Sequence, residues 1–454
     1  MISNRAKESV SWHSNDSPAS PPLPNGFIGM DNAENWLIRP QEIPAMREAI
    51  QREFSADDLD YERSSPGNPA LLQGAANFLN RFFSPRTPVL AEHVVAQGGS
   101  MVILDSLVYA ICDEGEALLI DAPFWSGFGN ATRLRNNNRL VEVERPESFS
   151  DPTAIIKHYE KAMESSSRPV RGIIVCNPHN PYGHIYPTSY MEAVLKFCEA
   201  HDMHYISDEI YGLTTWGGPK QPCLDLNPDI LESPETKFTS VLSLDLKKLK
   251  VNPARVHVVY GISKDLGGSG LRLGLFVTQN NPELREGVYT VERYTVSSAT
   301  SIMTRALFSD LAVTGSWLAR SRALLRASAD FVGGFMAFHR IPFYRPVAGV
   351  FVWARLGGRA ATAASDTALW TRIAAAGVAL AYGAGFHERD PGWFRITFAL
   401  PRRELIEGLC RIETALWAKR RYEPQQEQLV DEAPLDTCKG QSDGAGAARP
   451  CVVL

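Results

Sequence analysis

The chain has 454 residues, of which 44% are hydrophobic and 21% are charged, and its formal net charge is -5. The length suits one large and one small domain, and the acidic balance without a basic stripe argues against nucleic-acid binding. Seven scattered cysteines without C-x-x-C spacing favour a reducing compartment over a disulfide framework. No apolar run reaches the length of a membrane span, and residues 1–25 lack a signal-peptide core, so we expect a cytoplasmic protein.

The first part of the chain predicts a flexible arm followed by an α/β domain. Residues 1–26 are polar and rich in proline and serine, as in a flexible segment. From about 70 to 310, apolar strand-like runs alternate with helical patterns such as 100–113 and 188–202, which indicates a mostly parallel sheet. The predicted strands are 93–97, 117–120, 172–176, 204–207, 256–260 and 273–278.

The second part predicts a smaller α+β domain at 311–421. It begins with a long amphipathic helix across 312–340. The elements that follow are a strand at 348–353, a helix at 366–376, a strand at 394–398 and a helix at 402–421. Beyond about residue 422 the composition becomes rich in Gln, Glu, Asp, Gly and Ala, which predicts a disordered tail over 422–454.

The most informative segment runs from Val256 to Gly274. An apolar strand ends on Lys264, and a glycine-rich turn that carries Arg272 follows. A desolvated lysine favours the neutral amine that Schiff-base chemistry requires, and an arginine fork suits a phosphate. Together they suggest pyridoxal 5'-phosphate (PLP). A lysine in solvent at a strand end is the alternative when this segment is taken alone.

Two strand-end turns contain further candidate cofactor contacts. The turn Gln97-Gly-Gly-Ser-Met101 precedes a helix, where backbone amides and the Ser100 hydroxyl can hold a phosphate, although such glycines also serve packing alone. The segment Asp121-Ala-Pro-Phe-Trp125 follows another strand. Its tryptophan either covers a pyridine ring or belongs to the core.

Two later strands end on groups that suit the rest of a pyridine ring. The turn Asn177-Pro-His-Asn180-Pro-Tyr-Gly183 is rigid and can aim the Asn180 amide at a phenolate oxygen. Asp208 ends the next strand, and a buried carboxylate needs a cation, which a protonated pyridine nitrogen supplies. Tyr211, three residues on, can donate to the same oxygen as Asn180.

An arginine and a histidine pair also stand out in the sequence. Arg395 lies inside an apolar strand, where it needs a carboxylate from the protein or from a substrate. His201 and His204 have no third ligand nearby, so no metal site is predicted.

The order of these motifs resembles the class I/II PLP-dependent aminotransferases of fold type I, most of all their 1-aminocyclopropane-1-carboxylate synthase-like branch. Asn32-Ala-Glu34-Asn35 is similar to the N-terminal signature of that branch, and Pro391-Gly-Trp-Phe-Arg395 is similar to its carboxylate-binding strand. The resemblance spans about residues 25 to 420. It implies a large PLP-binding domain at 27–310 with a seven-stranded-type, mostly parallel sheet between helices, whose N-terminal segment packs on the small domain.

The resemblance also implies a role for each candidate residue. Lys264 is the Schiff-base lysine and the acid/base that moves the Cα proton, and Asp208 and Tyr211 complete the catalytic set. Trp125 stacks on the ring. The implied phosphate contacts are Gly99, Ser100, Met101, Ser263 and Arg272. The implied substrate contacts are Glu34, Asn180 and Arg395.

Three positions depart from the pattern of the family. Gly261 stands where many relatives carry a phosphate-binding serine, and Met101 replaces a usual glycine. The tyrosine that reaches the phosphate of the partner subunit corresponds to Tyr61, in a segment longer than usual. The resemblance implies a homodimer with shared active sites.

The expected activity is deprotonation of an L-α-amino acid at Cα with PLP as cofactor. We prefer an aminotransferase, in a setting such as fungal secondary metabolism. A C-S lyase acting on a cysteine conjugate and a true 1-aminocyclopropane-1-carboxylate synthase are the alternatives. A catalytically inactive binding module is disfavoured because Lys264, Asp208, Asn180, Tyr211 and Arg395 are all present.

The last four residues, Cys451-Val-Val-Leu454, match a prenylation signal of the geranylgeranyl type. Cys438 is a candidate for a second lipid. No polybasic run precedes the signal, and one lipid anchors weakly, so we expect at most weak membrane association.

Overall fold

The computed structural model describes residues 2–16, 20–62, 66–146, 149, 151–218, 230–231 and 235–423. The strands are β1 (Ile28–Met30), β2 (Val94–Gln97), β3 (Ala117–Asp121), β4 (Arg139–Val143), β5 (Val170–Cys176), β6 (His204–Asp208), β7 (Ile230–Leu231), β8 (Val256–Gly261), β9 (Gly274–Val277), β10 (Phe343–Tyr344), β11 (Phe351–Ala354), β12 (Val378–Tyr382) and β13 (Phe394–Thr397). The helices are α1 (Asn4–Asp16), α2 (Arg39–Glu53), α3 (Pro69–Phe82), α4 (Ser100–Ile111), α5 (Gly127–Arg133), α6 (Pro152–Ser165), α7 (Thr188–Ala200), α8 (Leu246–Leu249), α9 (Ile262–Asp265), α10 (Pro282–Val291), α11 (Ser298–Ser309), α12 (Leu311–Phe338), α13 (Ala363–Ala375) and α14 (Arg402–Ala415).

The larger sheet has seven strands in the order β2-β9-β8-β6-β5-β3-β4. All neighbours are parallel except β9, which is antiparallel to both β2 and β8. The central strands are apolar and buried, because helices cover both faces of a parallel sheet. The predicted α/β fold with a mostly parallel seven-stranded sheet is confirmed.

The parallel strands bring their carboxyl ends to one edge of this sheet. Cys176 at the end of β5 lies opposite Asp208 at the end of β6, and Asp208 in turn lies opposite Val259 in β8. Asp121 ends β3 in the same direction. Ligands bind at this edge in open α/β sheets, so the topology collects the predicted site residues there.

The smaller sheet has the order β1-β12-β13-β11-β10-β7. Its first strand comes from the N-terminal segment and pairs in parallel with β12, with Ile28 opposite Val378. The face of this sheet packs on α12 and α14 in a second hydrophobic core. Helices α11 and α12 meet at Asp310, whose carboxylate accepts from the first amides of α12. The domain boundaries at 26, 310 and 421 stay predictions.

The structure differs from the sequence-based elements in several places. A helix, α1, lies inside the segment predicted as a flexible arm, and Ser9 Oγ donates to the carbonyl of Leu134 over 2.6 Å. Five strands have no counterpart among the predicted ones: β1, β4, β7, β10 and β12. Strand β4 was missed because it lies at the sheet edge and its side chains are mostly half-buried. The predicted tail lies outside the described residues, apart from Tyr422 and Glu423. In the described part of the chain, every helix is too short or too polar to cross a membrane.

Candidate active site

A cavity of about 350 Å³ opens at the carboxyl edge of the larger sheet. The predicted site residues that line it are Ser100, Met101, Trp125, Asn180, Asp208, Tyr211, Ser263, Lys264, Arg272 and Arg395. Residues more than 290 positions apart therefore meet in one space. Leu104, Phe128, Ile210 and Cys176 also line the cavity.

Lys264 lies in α9, the short helix that directly follows the buried strand β8. Its Nζ donates to the carbonyl of Ala33 over 2.6 Å. Burial, together with the positive charge of Arg395, lowers the pKa of Lys264 from 10.5 to about 8. Because the neutral amine is the nucleophilic form, this residue suits reaction with an aldehyde near neutral pH.

Asp208 is buried at the end of β6, and its Oδ1 accepts from the amide of Ile210 over 3.3 Å. Burial raises the pKa of this carboxyl from 3.8 to about 7. No basic side chain of the described residues forms an ion pair with it. A cationic ring nitrogen at this position would hold the carboxylate ionised, as an opposite charge does.

Arg395 and Asn180 form the opposite wall of the cavity. Arg395 Nη1 donates to Asn180 Oδ1 over 3.1 Å, and Nη2 donates to the carbonyl of Asp31 over 2.5 Å. The guanidinium is buried, its Nε is left without a hydrogen-bond partner, and burial lowers its pKa. No carboxylate among the described residues pairs with it, which favours a substrate carboxylate over a structural ion pair.

In the turn from Gln97 to Met101, which we call the phosphate turn, Gly99 lies very close to the side chain of Arg272. Gly99 has a φ of 106° immediately before α4, and a Cβ there would lie 2.3 Å from Arg272 Nη2. Arg272 itself has a φ of 56°, and its Nη1 donates to the carbonyl of Ser269 over 2.8 Å. The guanidinium thus lies beside the N-terminus of α4, an arrangement that suits an anion.

The departure at Gly261 has a steric reason. A Cβ at this position would lie 2.7 Å from Ser100 Oγ and 2.8 Å from the carbonyl of Leu273. Ser100 Oγ donates to the carbonyl of Tyr260 over 3.1 Å, which fixes it beside Gly261. The hydroxyl of Ser100 therefore fills the space that a serine at 261 would need.

Two aromatic residues, Trp125 and Tyr211, border the place where the pyridine ring of the expected cofactor would lie. Trp125 packs edge-on against Phe128, with ring centroids 5.8 Å apart. Tyr211 is buried, its ring meets Phe351 edge-on at 5.4 Å, and burial raises the pKa of its hydroxyl. Both side chains line the cavity.

Two predicted contacts lie outside the cavity lining. Glu34 forms an ion pair with Arg39 over 2.9 Å, while its neighbour Ala33 turns towards Lys264. Gly99 lies behind the guanidinium of Arg272 instead of facing the cavity. Tyr61 is 84% exposed, and its ring lies tilted against that of Tyr294 with centroids 6.0 Å apart. Both tyrosines line a separate cavity of about 670 Å³.

The comparisons with known proteins decide the family. The model of the family "Aminotransferase class I and II" matches residues 37–412. The chain belongs to this family. This chain is 40% identical over 430 residues to "Probable aminotransferase gliI" of Aspergillus fumigatus. The match covers 91% of this chain and 95% of that protein. It is also 28% identical to 1-aminocyclopropane-1-carboxylate synthase 3 of rice, and that match covers 87% of this chain and 89% of that protein.

Solved structures agree with the fold of the family. A mutant aspartate aminotransferase of Thermus thermophilus matches with a TM-score of 0.70 and 21% identity over 91% of this chain and 99% of that one. The expected fold type I and the relation to the 1-aminocyclopropane-1-carboxylate synthase-like proteins are confirmed. This aminotransferase-family protein is a PLP-dependent enzyme.

The residues of the cavity fit PLP. The buried Asp208 forms no ion pair with a basic side chain in the described part of the chain. The buried Lys264 carries an amine of lowered pKa, and Gly99 leaves space where a Cβ would reach Arg272. A pyridine nitrogen, an aldehyde and a phosphate match these three places in that order. Asp208, Lys264 and Arg272 would hold the cofactor.

Proposed function

We propose that this protein is an aminotransferase acting on an L-α-amino acid, in fungal secondary metabolism. The observation that carries the proposal is the burial of Lys264, Asp208 and Arg395 around one cavity, with the two cations held by carbonyl and amide oxygens. The 40% identity to a fungal protein named as a probable aminotransferase supports the setting.

The substrate carboxylate binds Arg395. Its guanidinium lies 3.1 Å from Asn180 Oδ1, so the amide orients the fork that grips the carboxylate. Arginine and carboxylate form two parallel hydrogen bonds, which places the substrate Cα near Lys264. An amino acid without its carboxylate should bind poorly.

Lys264 moves the proton. When bound, PLP supplies an aldehyde for the amino group and a ring that takes up the electrons released at Cα. The amine of Lys264, with its pKa near 8, is partly neutral at neutral pH and accepts the Cα proton. Lys264 would also return that proton, which is the step that transamination requires.

The remaining residues hold the ring. With PLP bound, Asp208 would keep the ring nitrogen protonated, and Asn180 and Tyr211 would donate to the ring oxygen. Trp125 would cover one face of the ring. Arg272, Ser100 and Ser263 bind the phosphate, and Glu34 stays a proposed substrate contact that needs a change of its pairing with Arg39.

The charges of the cavity favour a substrate with an uncharged side chain. Among the described residues that line it, the cations are Lys264, Arg272 and Arg395, and each already has a role. A second carboxylate would therefore lack a partner in this subunit, and burying it unpaired is costly.

The test is incubation of PLP-loaded protein with a panel of amino acids and cysteine conjugates, without an oxo-acid acceptor. An aminotransferase converts its cofactor stoichiometrically to pyridoxamine 5'-phosphate and then stops. Continued release of oxo acid and thiol would show a C-S lyase. With an added substrate that carries a sulfonium leaving group on its γ-carbon, formation of the cyclopropane would show the synthase activity. Aspartate and glutamate in the panel test the proposed preference for a substrate with an uncharged side chain. The Lys264→Ala variant should lose turnover, and retained turnover would overturn the mechanism.

Two further proposals concern the assembly. We propose a homodimer, because members of this fold type are generally dimeric. Cys451 and Cys438 lie outside the described residues, and prenylation of Cys451 stays a prediction. The mass of the C-terminal peptide of the native protein tests it, since an unmodified tail would contradict the idea.

A further inference from the structure

A second buried polar cluster lies next to the cofactor cavity. It consists of Asp121 at the end of β3, Tyr159 in α6, Tyr190 in α7, and Tyr186 just before α7, and we call it the Asp121 cluster. All four residues are buried. None of them is among the cavity-lining residues or the roles assigned above.

Three tyrosine hydroxyls converge on the one carboxylate. Tyr159 donates to Oδ1 over 2.8 Å, Tyr186 donates to Oδ2 over 3.0 Å, and Tyr190 also donates to Oδ2. The hydroxyls of Tyr159 and Tyr190 lie 2.8 Å apart, and the rings of Tyr186 and Tyr190 stack at 4.2 Å. A carboxylate that accepts these three hydrogen bonds fixes the orientation of each tyrosine ring, because each hydroxyl must reach one acceptor position.

The chain continues from Asp121 directly to the ring-covering tryptophan. Only three residues separate Asp121 from Trp125, and two backbone bonds hold this stretch. The amide of Ala122 donates to the carbonyl of Val143 over 3.0 Å, and the amide of Phe124 donates to the carbonyl of Phe386 over 2.8 Å. Asp121 thus anchors the root of the segment that places Trp125.

The same cluster anchors the turn that presents Asn180. The amide of Tyr186 donates to Asn177 Oδ1 over 3.1 Å, so the two ends of the turn are joined. The amide of Asn177 donates to the carbonyl of Asp208 over 2.9 Å, and the amide of His179 donates to the carbonyl of His184 over 2.8 Å. The hydroxyl of Tyr186 then ties this closed turn to Asp121.

We propose that the Asp121 cluster positions the Trp125 ring and the Asn180 amide against the cofactor. Asp121 is in this view a positioning residue that acts through Trp125 and Asn180. The inference rests on the proposed roles of those two residues. The alternative is that the cluster contributes only to the stability of the large core.

The test uses the PLP-loaded Asp121→Asn variant, which keeps the shape of the side chain but offers only one acceptor oxygen. Asn180 bonds the ring oxygen, so a displaced turn changes the pH at which the absorbance of the bound cofactor changes. We expect that midpoint to move by about 0.5 pH units or more, with a weaker visible circular dichroism. We also expect kcat to fall about tenfold with a smaller change in KM, because misorientation acts on the chemical step.

The matched control is Thr278→Val, which breaks another buried polar network, in which His257 Nδ1 and Thr278 Oγ1 lie 3.1 Å apart. This network lies at the amino ends of β6 and β8, away from the cavity. The control should lower the melting temperature while leaving the midpoint and the circular dichroism unchanged. If Asp121→Asn behaves in the same way, the cluster is structural only and the proposal is wrong.

Two further variants keep the test decisive. If Asp121→Asn does not fold, Tyr186→Phe and Tyr190→Phe each remove one donor, and Tyr186→Phe should shift the midpoint more because Tyr186 is bonded to the Asn180 turn. Equal, unshifted midpoints in both would overturn the proposal. The midpoint is measured without substrate, so it does not depend on whether the wild type transaminates, eliminates or does neither.

Discussion

Lys264 shows what burial does to a single residue. Its pKa lies near 8 in the folded protein against an ordinary 10.5, because the charged amine is desolvated. A lowered pKa of a base means that folding disfavours the charged form. As far as Lys264 decides it, the free energy of unfolding is therefore highest above about pH 10.5. It decreases as the pH falls from there to about 8.

The variant Lys264→Met removes this charge and keeps the length of the side chain. We expect the cofactor-free variant to be more stable than the cofactor-free wild type near about pH 6, by up to about 3 kcal/mol, and the difference to vanish near about pH 10.5. Urea unfolding at the two pH values measures it. Lys196→Met on the exposed surface of α7 is the control and should show no such dependence. A variant that is less stable at low pH would contradict the sign.

Gly99 is the residue on which the phosphate turn depends. Its positive φ strains any other residue, and an added Cβ would lie 2.3 Å from Arg272 Nη2. We expect Gly99→Ala to displace the guanidinium and to raise the Kd for PLP at least about tenfold. Equilibrium dialysis measures the Kd. Gly270→Ala is the matched control, because a Cβ there would meet nothing within 4 Å, and it should leave the Kd near that of the wild type.

At this scale the sequence predicted side chains well and backbone groups poorly. Lys264, Asp208 and Arg395 stand at the ends of or within apolar strands, where a charged residue is conspicuous, and all three line the cavity. The carbonyls of Asp31 and Ala33, which hold the two cations, have no sequence signal because every residue carries one. Glu34 pairs with Arg39, a contact that depends on how α2 begins.

At the scale of elements, the close packing of α4 on the end of the sheet requires glycines. Gly261 in β8 lies opposite Gly274 in β9, and a Cβ on Gly274 would lie 2.4 Å from the backbone of Gly99. The pair lets the first turn of α4 approach the sheet, which brings its amides to the phosphate position. A side chain in this layer must push α4 away.

Restoring the serine of the family at Gly261 should therefore harm this protein. We expect Gly261→Ser to lower the free energy of unfolding by about 1–3 kcal/mol through overpacking, and to weaken PLP binding as α4 shifts. Urea unfolding with and without PLP measures both effects. Ser100→Ala removes one of the two close contacts, so the double variant should recover part of the loss, and strictly additive losses would refute this account.

Strands were predictable from the sequence where both of their faces are buried. Strands β3, β5, β6 and β8 are buried over most of their length, and the sequence predicted each of them. Strand β1 has three residues and pairs with β12, which lies about 350 positions later in the chain. Its position depends on that distant partner, so no local pattern could place it.

At the scale of the whole molecule, the open question is what the exposed Tyr61 contacts. Tyr61 is 84% exposed beside Tyr294, and Thr295 Oγ1 in the same cavity accepts from the amide of Gly98 in the phosphate turn. An exposed aromatic pair this close to the cofactor site favours an interface. A second copy of the chain would place its own Tyr61 at the phosphate, as the family resemblance implies.

Mixing two impaired variants tests this shared site. Tyr61→Ala should weaken PLP binding and lower activity, while Lys264→Ala should abolish turnover. In a mixed dimer, one active site combines the intact Lys264 of one subunit with the intact Tyr61 of its partner. Unfolding and refolding equal amounts together should restore about a quarter of the wild-type activity, because about half the dimers are mixed and each has one intact site. Activity no higher than the mean of the separately refolded variants would show that Tyr61 serves its own subunit or no active site.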